Sequence, residues 1–199
     1  MCMQSMDRIF NTIESDKRIN AVVFATRGPQ YLTGAGFVPA EANYNYPPIS
    51  SREGINAADS LSPYDVFGRG LKASVSRLNQ HRLRVAYVLQ VPELGVPAQD
   101  CVLRPLTFTE NKTGCSIDRA VYQERMHLYR ALVANLPLNS EFFRVVDPGP
   151  VFCDSSRCSG ASDGQLLYAD DNHLSVLGSK KLAPIILQAL FAPKPAGAP

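Results

Sequence analysis

The amino-acid sequence predicts an α/β fold with a mainly parallel sheet, and two observations support that class. Three short apolar runs, at residues 19–26, 84–92 and 142–146, are rich in β-branched or aromatic side chains, which is typical of buried strands. Segments with helical spacing of apolar residues separate these runs, and this alternation favours a parallel sheet between helical layers. The 199 residues fit one domain, predicted over 1–192, ahead of a Pro/Ala/Gly tail at 193–199 that is predicted to be disordered.

The first half of the chain is predicted to contain two helices and a long loop. A helix is expected over 6–17, where Met6, Ile9, Phe10 and Ile13 recur at helical spacing. Arg27-Gly28-Pro29 signals a turn after the first strand, and the Gly- and Pro-rich stretch from Tyr31 to Pro63 predicts a loop. Ser62-Pro63 then begins a helix, whose apolar face holds Val66, Leu71, Val75 and Leu78.

The second half continues the alternation of strands, loops and helices. A loop is predicted from Pro92 to about Ser116, followed by a helix over 117–136. The last helix is predicted over 175–191. The expected core contacts of the 117–136 helix are Val121, Met126, Leu128, Leu132 and Val133.

Composition argues against several classes of protein. The formal charge is +2 and no basic patch is interleaved with aromatic residues, which argues against nucleic acid as a partner. No apolar stretch has the length needed to span a bilayer, and Met1 to Phe10 lacks the continuous apolar region of a signal peptide. The charge cluster of Arg77, His81, Arg82 and Arg84 is interpreted as a solvated surface.

Five cysteines indicate an oxidising compartment. Two short-range disulfides fit the spacing, one between Cys153 and Cys158 and one between Cys101 and Cys115, which leaves Cys2 without a partner. The alternative is five reduced thiols. No metal site is expected, because the sequence has no Cys-x-x-Cys pair and its three histidines are scattered, and no other cofactor is predicted.

The candidate site is expected at the carboxyl edge of the parallel sheet, where open α/β sheets bind their ligands. Thr26-Arg27-Gly28, Pro92-Glu93 and the segment after Asp147 all follow strands. Asp170 precedes His173 by three residues, a spacing that allows the carboxylate to orient the imidazole as a general base. The competing interpretation is an Asp that caps the following helix.

The segment Tyr168 to Gly178 reads Tyr-x-Asp-x-x-His-Leu-Ser-x-x-Gly and resembles the last motif of SGNH hydrolase-like domains. It is similar in particular to the SGNH domain fused to the C-terminus of membrane acyltransferase-3 proteins, which O-acetylate bacterial surface polysaccharides such as lipopolysaccharide O-antigen. Supporting matches are Ala21 to Tyr31, Val88 to Glu93, and Asp147-Pro148 followed by the Cys-Asp-x-x-x-Cys element at 153–158. The resemblance covers nearly the whole chain. It implies a three-layer α/β/α, flavodoxin-like SGNH fold in which Asp170 and His173 belong to a Ser-His-Asp triad.

The family's nucleophilic serine, in a Gly-Asp-Ser motif after the first strand, has no counterpart here, and neither does a Gly-x-Ser-x-Gly elbow. Ala58-Asp59-Ser60-Leu61 follows no buried strand, Ser5 lies in a predicted helix, and Ser155 lies in a loop between cysteines. The family's oxyanion-hole Asn falls where this chain has Thr26-Arg27-Gly28-Pro29. Arg27 is therefore interpreted either as a substrate-binding cation for an oxyanion or acyl carbonyl, or as a surface residue.

Two explanations of the missing serine follow from the resemblance. The preferred one is a truncated chain that lacks the family's first strand, its serine and the membrane acyltransferase-3 domain, its partner in cis; the other is a pseudo-enzyme that binds glycan. The complete protein is expected to transfer an acyl group, most simply acetyl, to a carbohydrate hydroxyl on the periplasmic or exterior face of the inner membrane. The chain alone is predicted to be inactive. A stand-alone carbohydrate esterase is the remaining alternative.

Overall fold

A computed structural model describes residues 2–37, 48, 61–101, 115–138 and 141–192. These ranges contain all of the secondary structure discussed below. The elements in chain order are α1 (Cys2–Ser15), β1 (Ala21–Ala25), α2 (Gly28–Thr33), α3 (Pro63–Gln80), β2 (Arg84–Val88), a 3-10 turn (Ala98–Cys101), β3 (Ser116–Asp118), α4 (Arg119–Ala134), β4 (Phe143–Val146), α5 (Gly149–Phe152), β5 (Arg157–Ser159), β6 (Ala161–Ser162), β7 (Gln165–Leu166) and α6 (Val176–Phe191).

The main sheet is parallel throughout, with the strand order β1-β2-β4. Ala25 lies beside Val88, and Val88 lies beside Val146, so the three strands end together at one edge. Their residues are mostly β-branched or aromatic, which suits strands covered by helices on both sides. The predicted α/β class with a parallel sheet is confirmed.

Helices cover both faces of the sheet and give the predicted three layers. Val85 and Tyr87 point into a core that includes residues of α3 and α4, whereas Ala86 and Val88 point into a second core formed with α6. Alternate residues of β2 thus enter opposite cores, as the two-residue period of a strand requires. β2 is the central strand, and its last four residues are buried.

The predicted core contacts of α4 are confirmed at Met126 and Val133 and were wrong at Val121 and Leu128, while Leu132 is partly buried against the same core. Tyr122, Met126, Tyr129 and Val133 are buried, whereas Val121 and Leu128 are about half exposed. Residues at i, i+4, i+7 and i+11 share one helix face, so the two buried tyrosines and the two exposed aliphatic residues cannot face the core together. Aromatic area decided the orientation of the helix, because tyrosine buries more surface than valine or leucine.

Two further expectations about the N-terminal region need correction. The helix predicted over 6–17 forms as α1, but Met6 and Ile9 are exposed and only Phe10 of that set is buried. The predicted loop from Tyr31 to Pro63 begins later, because α2 continues to Thr33 and ends at Gly34, whose φ of 71° is left-handed. Residues 38–47 and 49–60 of this loop lie outside the described residues.

One of the two expected disulfides is present. Cys153 and Cys158 are bonded and close the loop that leads into β5, next to the antiparallel pair of β3 and β5. Cys115 forms no disulfide, because its thiol donates to the main-chain carbonyl oxygen of Cys101 at 3.0 Å rather than bonding to that residue's sulfur. Within the described part of the chain, no helix has the length and apolar character needed to cross a membrane.

Candidate active site

Asp170 and His173 lie in a tight loop between the buried Tyr168 and the start of α6. Tyr168 and Leu174 face each other as an antiparallel bridge, and the amide of Ala169 donates to the carbonyl oxygen of His173 at 2.8 Å. The Tyr168 side chain is 1% exposed and packs on the ring of Phe152. The loop therefore has a fixed base, and its tip carries both polar side chains.

The Asp170 carboxylate organises the loop and binds the imidazole. Its Oδ1 accepts the amides of Asn172 at 2.8 Å and His173 at 2.7 Å, and its Oδ2 lies 2.7 Å from His173 Nδ1. Partial burial raises the pKa of Asp170, but these amides and the His173 ring outweigh it, so the pKa lies below its usual value. An ionised carboxylate only accepts hydrogen bonds, so Nδ1–H is the donor, and in the neutral imidazole Nε2 then carries the lone pair.

The rest of the motif fixes where this loop meets α6. The Ser175 hydroxyl caps the helix by accepting the amide of Gly178 at 3.1 Å, and it donates to the carbonyl oxygen of Leu166 at 2.8 Å. A Cβ on Gly178 would lie 2.1 Å from the carbonyl oxygen of Leu167, so only glycine allows this approach. The expected capping role falls to Ser175, and Asp170 is left to bind His173.

His173 opens onto a cleft at the carboxyl edge of the sheet. The cleft has a volume of about 410 Å³, and the His173 side chain is 76% exposed. Arg27, which follows β1, lines the same cleft, so two candidate residues separated by 146 positions in the sequence meet here. The other lining residues are Ala25, Thr26, Tyr31, Val88, Leu89, Gln90, Val91, Asn172, Leu174, Ser179 and Leu182.

Arg27 is held by a buried ion pair. Its Nε lies 2.7 Å and its Nη2 2.5 Å from Oε1 of Glu93, whose side chain is 1% exposed. Arg125 Nε donates to the other carboxylate oxygen at 2.9 Å, and its Nη2 donates to the carbonyl oxygen of Ala35 at 2.9 Å. The interpretation of Arg27 as a surface residue was wrong, because its side chain is only 15% exposed. The two arginines therefore share one buried carboxylate beside the cleft.

A chain of hydroxyl groups supports the backbone next to Arg27. Tyr87 and Tyr129 lie 2.6 Å apart at their hydroxyl oxygens, and the Thr26 hydroxyl lies 2.8 Å from Tyr87 and 3.2 Å from Tyr129. Burial raises the pKa of the Tyr87 hydroxyl, so it stays protonated at neutral pH. A Cβ on Gly28 would lie 2.1 Å from the Tyr129 ring, so the turn after β1 fits closely over this ring.

None of the hydrogen bonds among the described residues joins a serine to the His173 ring. Ser5 lies in α1 as predicted, and Ser155 is exposed beside Asp154, whose carboxylate accepts the amides of Ser156 and Arg157. Ser60 lies outside the described residues. The described residues also contain no cluster of side chains able to hold a metal ion.

Sequence reasoning placed Glu93 at this edge but gave it no role, and it missed Arg125. The signal for Glu93 was an acidic residue directly after a buried apolar run, at the edge where the site was expected. Arg125 lies on the polar side of a predicted helix, and nothing local distinguishes it from Arg119 or Arg130. The segment after Asp147 forms a separate, smaller cleft, where Arg130 Nη2 lies 3.1 Å from the Asp147 carboxylate.

Comparison with known proteins decides the family. The family model described as the SGNH domain fused to AT3 domains matches residues 1–188. The chain belongs to this SGNH domain family. The solved structure of the Salmonella ser. Paratyphi A lipopolysaccharide acetyltransferase periplasmic domain is similar at a TM-score of 0.40 and 14% sequence identity. That match covers 68% of this chain and 51% of the other, so this SGNH chain spans about half of the structure it matches. The comparison with curated proteins finds no match.

Proposed function

We propose that this SGNH domain serves an O-acyltransferase that transfers acetyl groups to hydroxyls of a surface polysaccharide. The observation that carries the proposal is the 2.7 Å contact between Asp170 Oδ2 and His173 Nδ1 at the mouth of a cleft. Membership of the family fused to AT3 domains supports acyl transfer as the chemistry. His173 Nε2 then takes the proton of an attacking hydroxyl, and Asp170 stabilises the imidazolium that forms.

Arg27 is assigned to the acyl carbonyl. Its guanidinium lines the cleft with His173, and the hydrogen bonds to Glu93, which Arg125 also binds, fix its position. A preorganised positive charge stabilises the oxyanion of a tetrahedral intermediate. The side chain thereby takes the place of the amide donor that the family resemblance implies at this position.

The nucleophilic serine is proposed to come from sequence outside these 199 residues. Among the described strands, β1 pairs with β2 along one edge only, and Val23 of β1 is 47% exposed. A further strand beside β1 would end next to Arg27, at the same edge of the sheet as His173. An acyltransferase-3 membrane domain is the proposed partner in cis, and the disulfide between Cys153 and Cys158 supports a periplasmic or exterior location.

The test is acetylation of surface polysaccharide in the producing cell, measured by mass spectrometry of the purified glycan. Replacement His173→Ala in the protein that carries this domain is expected to abolish the modification, because the general base is lost. His127→Ala is the matched control, since His127 is exposed on α4 and lines a different cleft. Full acetylation in the His173→Ala strain, with the variant present at wild-type level, would contradict the proposal.

The isolated chain gives an independent measurement. With p-nitrophenyl acetate, the 199-residue chain is expected to show no turnover above that of its His173→Ala variant, because it contributes no nucleophile. Robust turnover that His173→Ala removes would place the serine inside the chain, and Ser60→Ala would then be the first variant to assay. Release of free acetate from an acetylated glycan, without transfer to a second saccharide, would favour the esterase.

A glycan-binding pseudo-enzyme is the second candidate, and one observation favours it. No described serine is hydrogen-bonded to His173, although the cleft itself is well formed. This candidate predicts that a saccharide still binds at the cleft in the His173→Ala variant. NMR shift changes of Arg27 and its neighbours measure that binding. It also predicts that His173→Ala leaves polysaccharide acetylation in cells unchanged.

A further inference from the structure

A second cleft lies at the amino-terminal edge of the sheet, opposite to the edge that carries His173. Arg84 and Phe143 begin β2 and β4 at this edge, and the cleft between them and the end of α6 has a volume of about 440 Å³. Its lining residues are Arg82, Arg84, Val85, Glu141, Phe142, Arg144, Ala189, Leu190, Phe191 and Ala192. Because β2 has five residues, roughly 17 Å separate this cleft from the catalytic edge.

Three arginines face a single glutamate in this cleft. Arg82 Cζ lies 5.6 Å from the centre of the Phe142 ring, and Arg84 Cζ lies 5.3 Å from the centre of the Phe191 ring. Neither guanidinium is within ion-pair distance of a carboxylate among the described residues, Glu141 included. Arg82 and Arg84 are positioned by aromatic rings rather than by carboxylates, so the charge of these two side chains remains available to an anion.

Arg77, unlike Arg82 and Arg84, is paired with carboxylates. It belongs to the same cluster in the sequence, but its guanidinium binds the carboxylates of Asp7 and Glu14 on α1 and joins α1 to α3. The interpretation of this cluster as solvated surface is confirmed for His81, Arg82 and Arg84, which are exposed, whereas Arg77 is partly buried. Arg77 is a structural residue, and Arg82 and Arg84 line the cleft.

Arg82 occupies a backbone position that favours glycine. Its φ is 59°, and it follows the end of α3, where the amide of Leu83 closes the helix onto the carbonyl oxygen of Leu78 at 3.2 Å. Glycine is the usual residue at this left-handed position after a helix, because it has no Cβ. The Cβ of Arg82 makes this left-handed backbone unfavourable, and the same residue places a guanidinium group at the cleft.

The rim next to the arginines is apolar. Phe191 is 48% exposed and Leu187 is 55% exposed, and the two lie four residues apart on the same face of α6. Exposed aromatic and aliphatic side chains beside basic residues are typical of surfaces that bind anionic bilayers, where cations meet phosphates and apolar groups enter the interface.

We propose that this arginine cleft binds the phosphate of an anionic glycerophospholipid, with Phe191 and Leu187 against the bilayer. The complementary charge is that of the lipid phosphates, and guanidinium groups bind phosphate oxygens in a bidentate manner. The proposal does not depend on the acyl-transfer chemistry. A domain held in this way directs His173 and its cleft away from the bilayer.

The test is co-sedimentation of the 199-residue chain at low salt with two vesicle preparations, one that contains phosphatidylglycerol and one of pure phosphatidylcholine. The chain is expected to sediment with vesicles that contain phosphatidylglycerol and not with vesicles of pure phosphatidylcholine. Raised salt is expected to weaken the binding. The double variant Arg84→Gln with Arg144→Gln is expected to bind about 25-fold more weakly, from roughly fivefold for each basic residue at an anionic surface.

The matched control is the double variant Arg69→Gln with Lys72→Gln. It removes the same charge from exposed positions of α3 outside the cleft, and its vesicle affinity is expected to stay within about threefold of wild type. Arg82→Gly separates binding from folding, because it should raise the melting temperature by relieving the left-handed backbone while it weakens vesicle binding.

Three outcomes would overturn the proposal. Equal binding to both lipids would show that charge is not recognised. Equal weakening by the α3 control would show attraction to net charge rather than to the cleft. Complete release from vesicles by millimolar soluble glycerol phosphate, with saturable binding of that compound in calorimetry, would assign the cleft to a free phosphate ester instead of a lipid.

Discussion

Glu93 is almost fully buried between Arg27 and Arg125, and its charge is what allows two arginines to approach each other. Glu93→Gln is expected to lower the free energy of unfolding by about 3 kcal/mol, because it removes the buried carboxylate that both arginines bind. Urea unfolding measures the change. Glu124→Gln is the control, since Glu124 is exposed on α4 and its replacement should change stability by less than about 0.5 kcal/mol. A loss below about 1 kcal/mol for Glu93→Gln would contradict the described network.

Asp170 gives the candidate site a defined dependence on pH. Its pKa is lower in the folded chain than the unfolded value, so its ionised form stabilises the fold above that value, and the contribution is lost as pH falls through the folded pKa. The difference in unfolding free energy between wild type and Asp170→Asn is therefore expected to be constant near pH 5 and above, and to shrink below about pH 4. Urea titrations between pH 3 and pH 6 measure it. A difference that grows on acidification would reverse the assigned direction of the shift.

Among single residues, side-chain contacts between neighbours in the sequence could be predicted, and contacts between residues far apart in the sequence could not. Asp170 and His173 are three residues apart, so one turn of chain brings them together whatever the rest of the fold does. Glu93 and Arg125 are 32 positions apart, and their contact depends on how α4 packs against the sheet. A side chain that the sequence pattern assigns to solvent gains a buried partner only when the tertiary structure supplies one.

Among the elements, α6 has the most constrained beginning. Gly178→Ala is expected to destabilise the chain by about 2 kcal/mol, because the new Cβ would collide with the carbonyl oxygen of Leu167 and the backbone cannot move away cheaply. Gly70→Ala in α3 is the matched substitution, since its Cβ would meet no atom within 4 Å. It should stabilise by up to about 1 kcal/mol through helix propensity. Thermal unfolding of the two variants measures the difference. Equal effects on stability would contradict the close contact described at Gly178.

Helix and strand positions followed from the sequence more reliably than helix rotation did. The spacing of Leu71, Val75 and Leu78 identified the face of α3, and all three are buried. In α4 two overlapping sets of apolar residues compete for the core, and the choice between them was settled by the fit of Tyr129 against Tyr87, Phe67 and the turn at Gly28. Short antiparallel pairs such as β3 with β5 lack a period long enough to detect.

For the molecule as a whole, the disulfide is the one covalent restraint among the described residues. Cys153→Ser is expected to lower stability by about 2 kcal/mol, because the bond closes a short loop and restricts the unfolded chain only modestly. Cys115→Ser should change stability by less than about 1 kcal/mol, since a hydroxyl can still donate to the carbonyl oxygen of Cys101. Guanidinium unfolding compares the two variants. A larger loss for Cys115→Ser than for Cys153→Ser would overturn the described pairing.

The parallel sheet and its two helical layers could be predicted because each strand is a continuous apolar run and each helix keeps its own period. The carboxyl edge could also be predicted as the place of the His173 cleft, but the detailed lining of that cleft and the arginine cleft could not, because both depend on how separate elements meet. The cleft beside His173 joins the turn after β1 to the loop before α6, and the arginine cleft joins the ends of α3 and α6 to the start of β4.

The loop from Tyr168 to Leu174 closes on itself through its own backbone bridge. The contact between Asp170 and His173 is therefore set within seven consecutive residues and needs no other segment of the chain to form. A sequence search that scores this loop alone detects the Asp–His pair and carries no information about the rest of the cleft. Arg27 and Glu93, which lie far from the loop in the sequence, are the positions that such a search has to add.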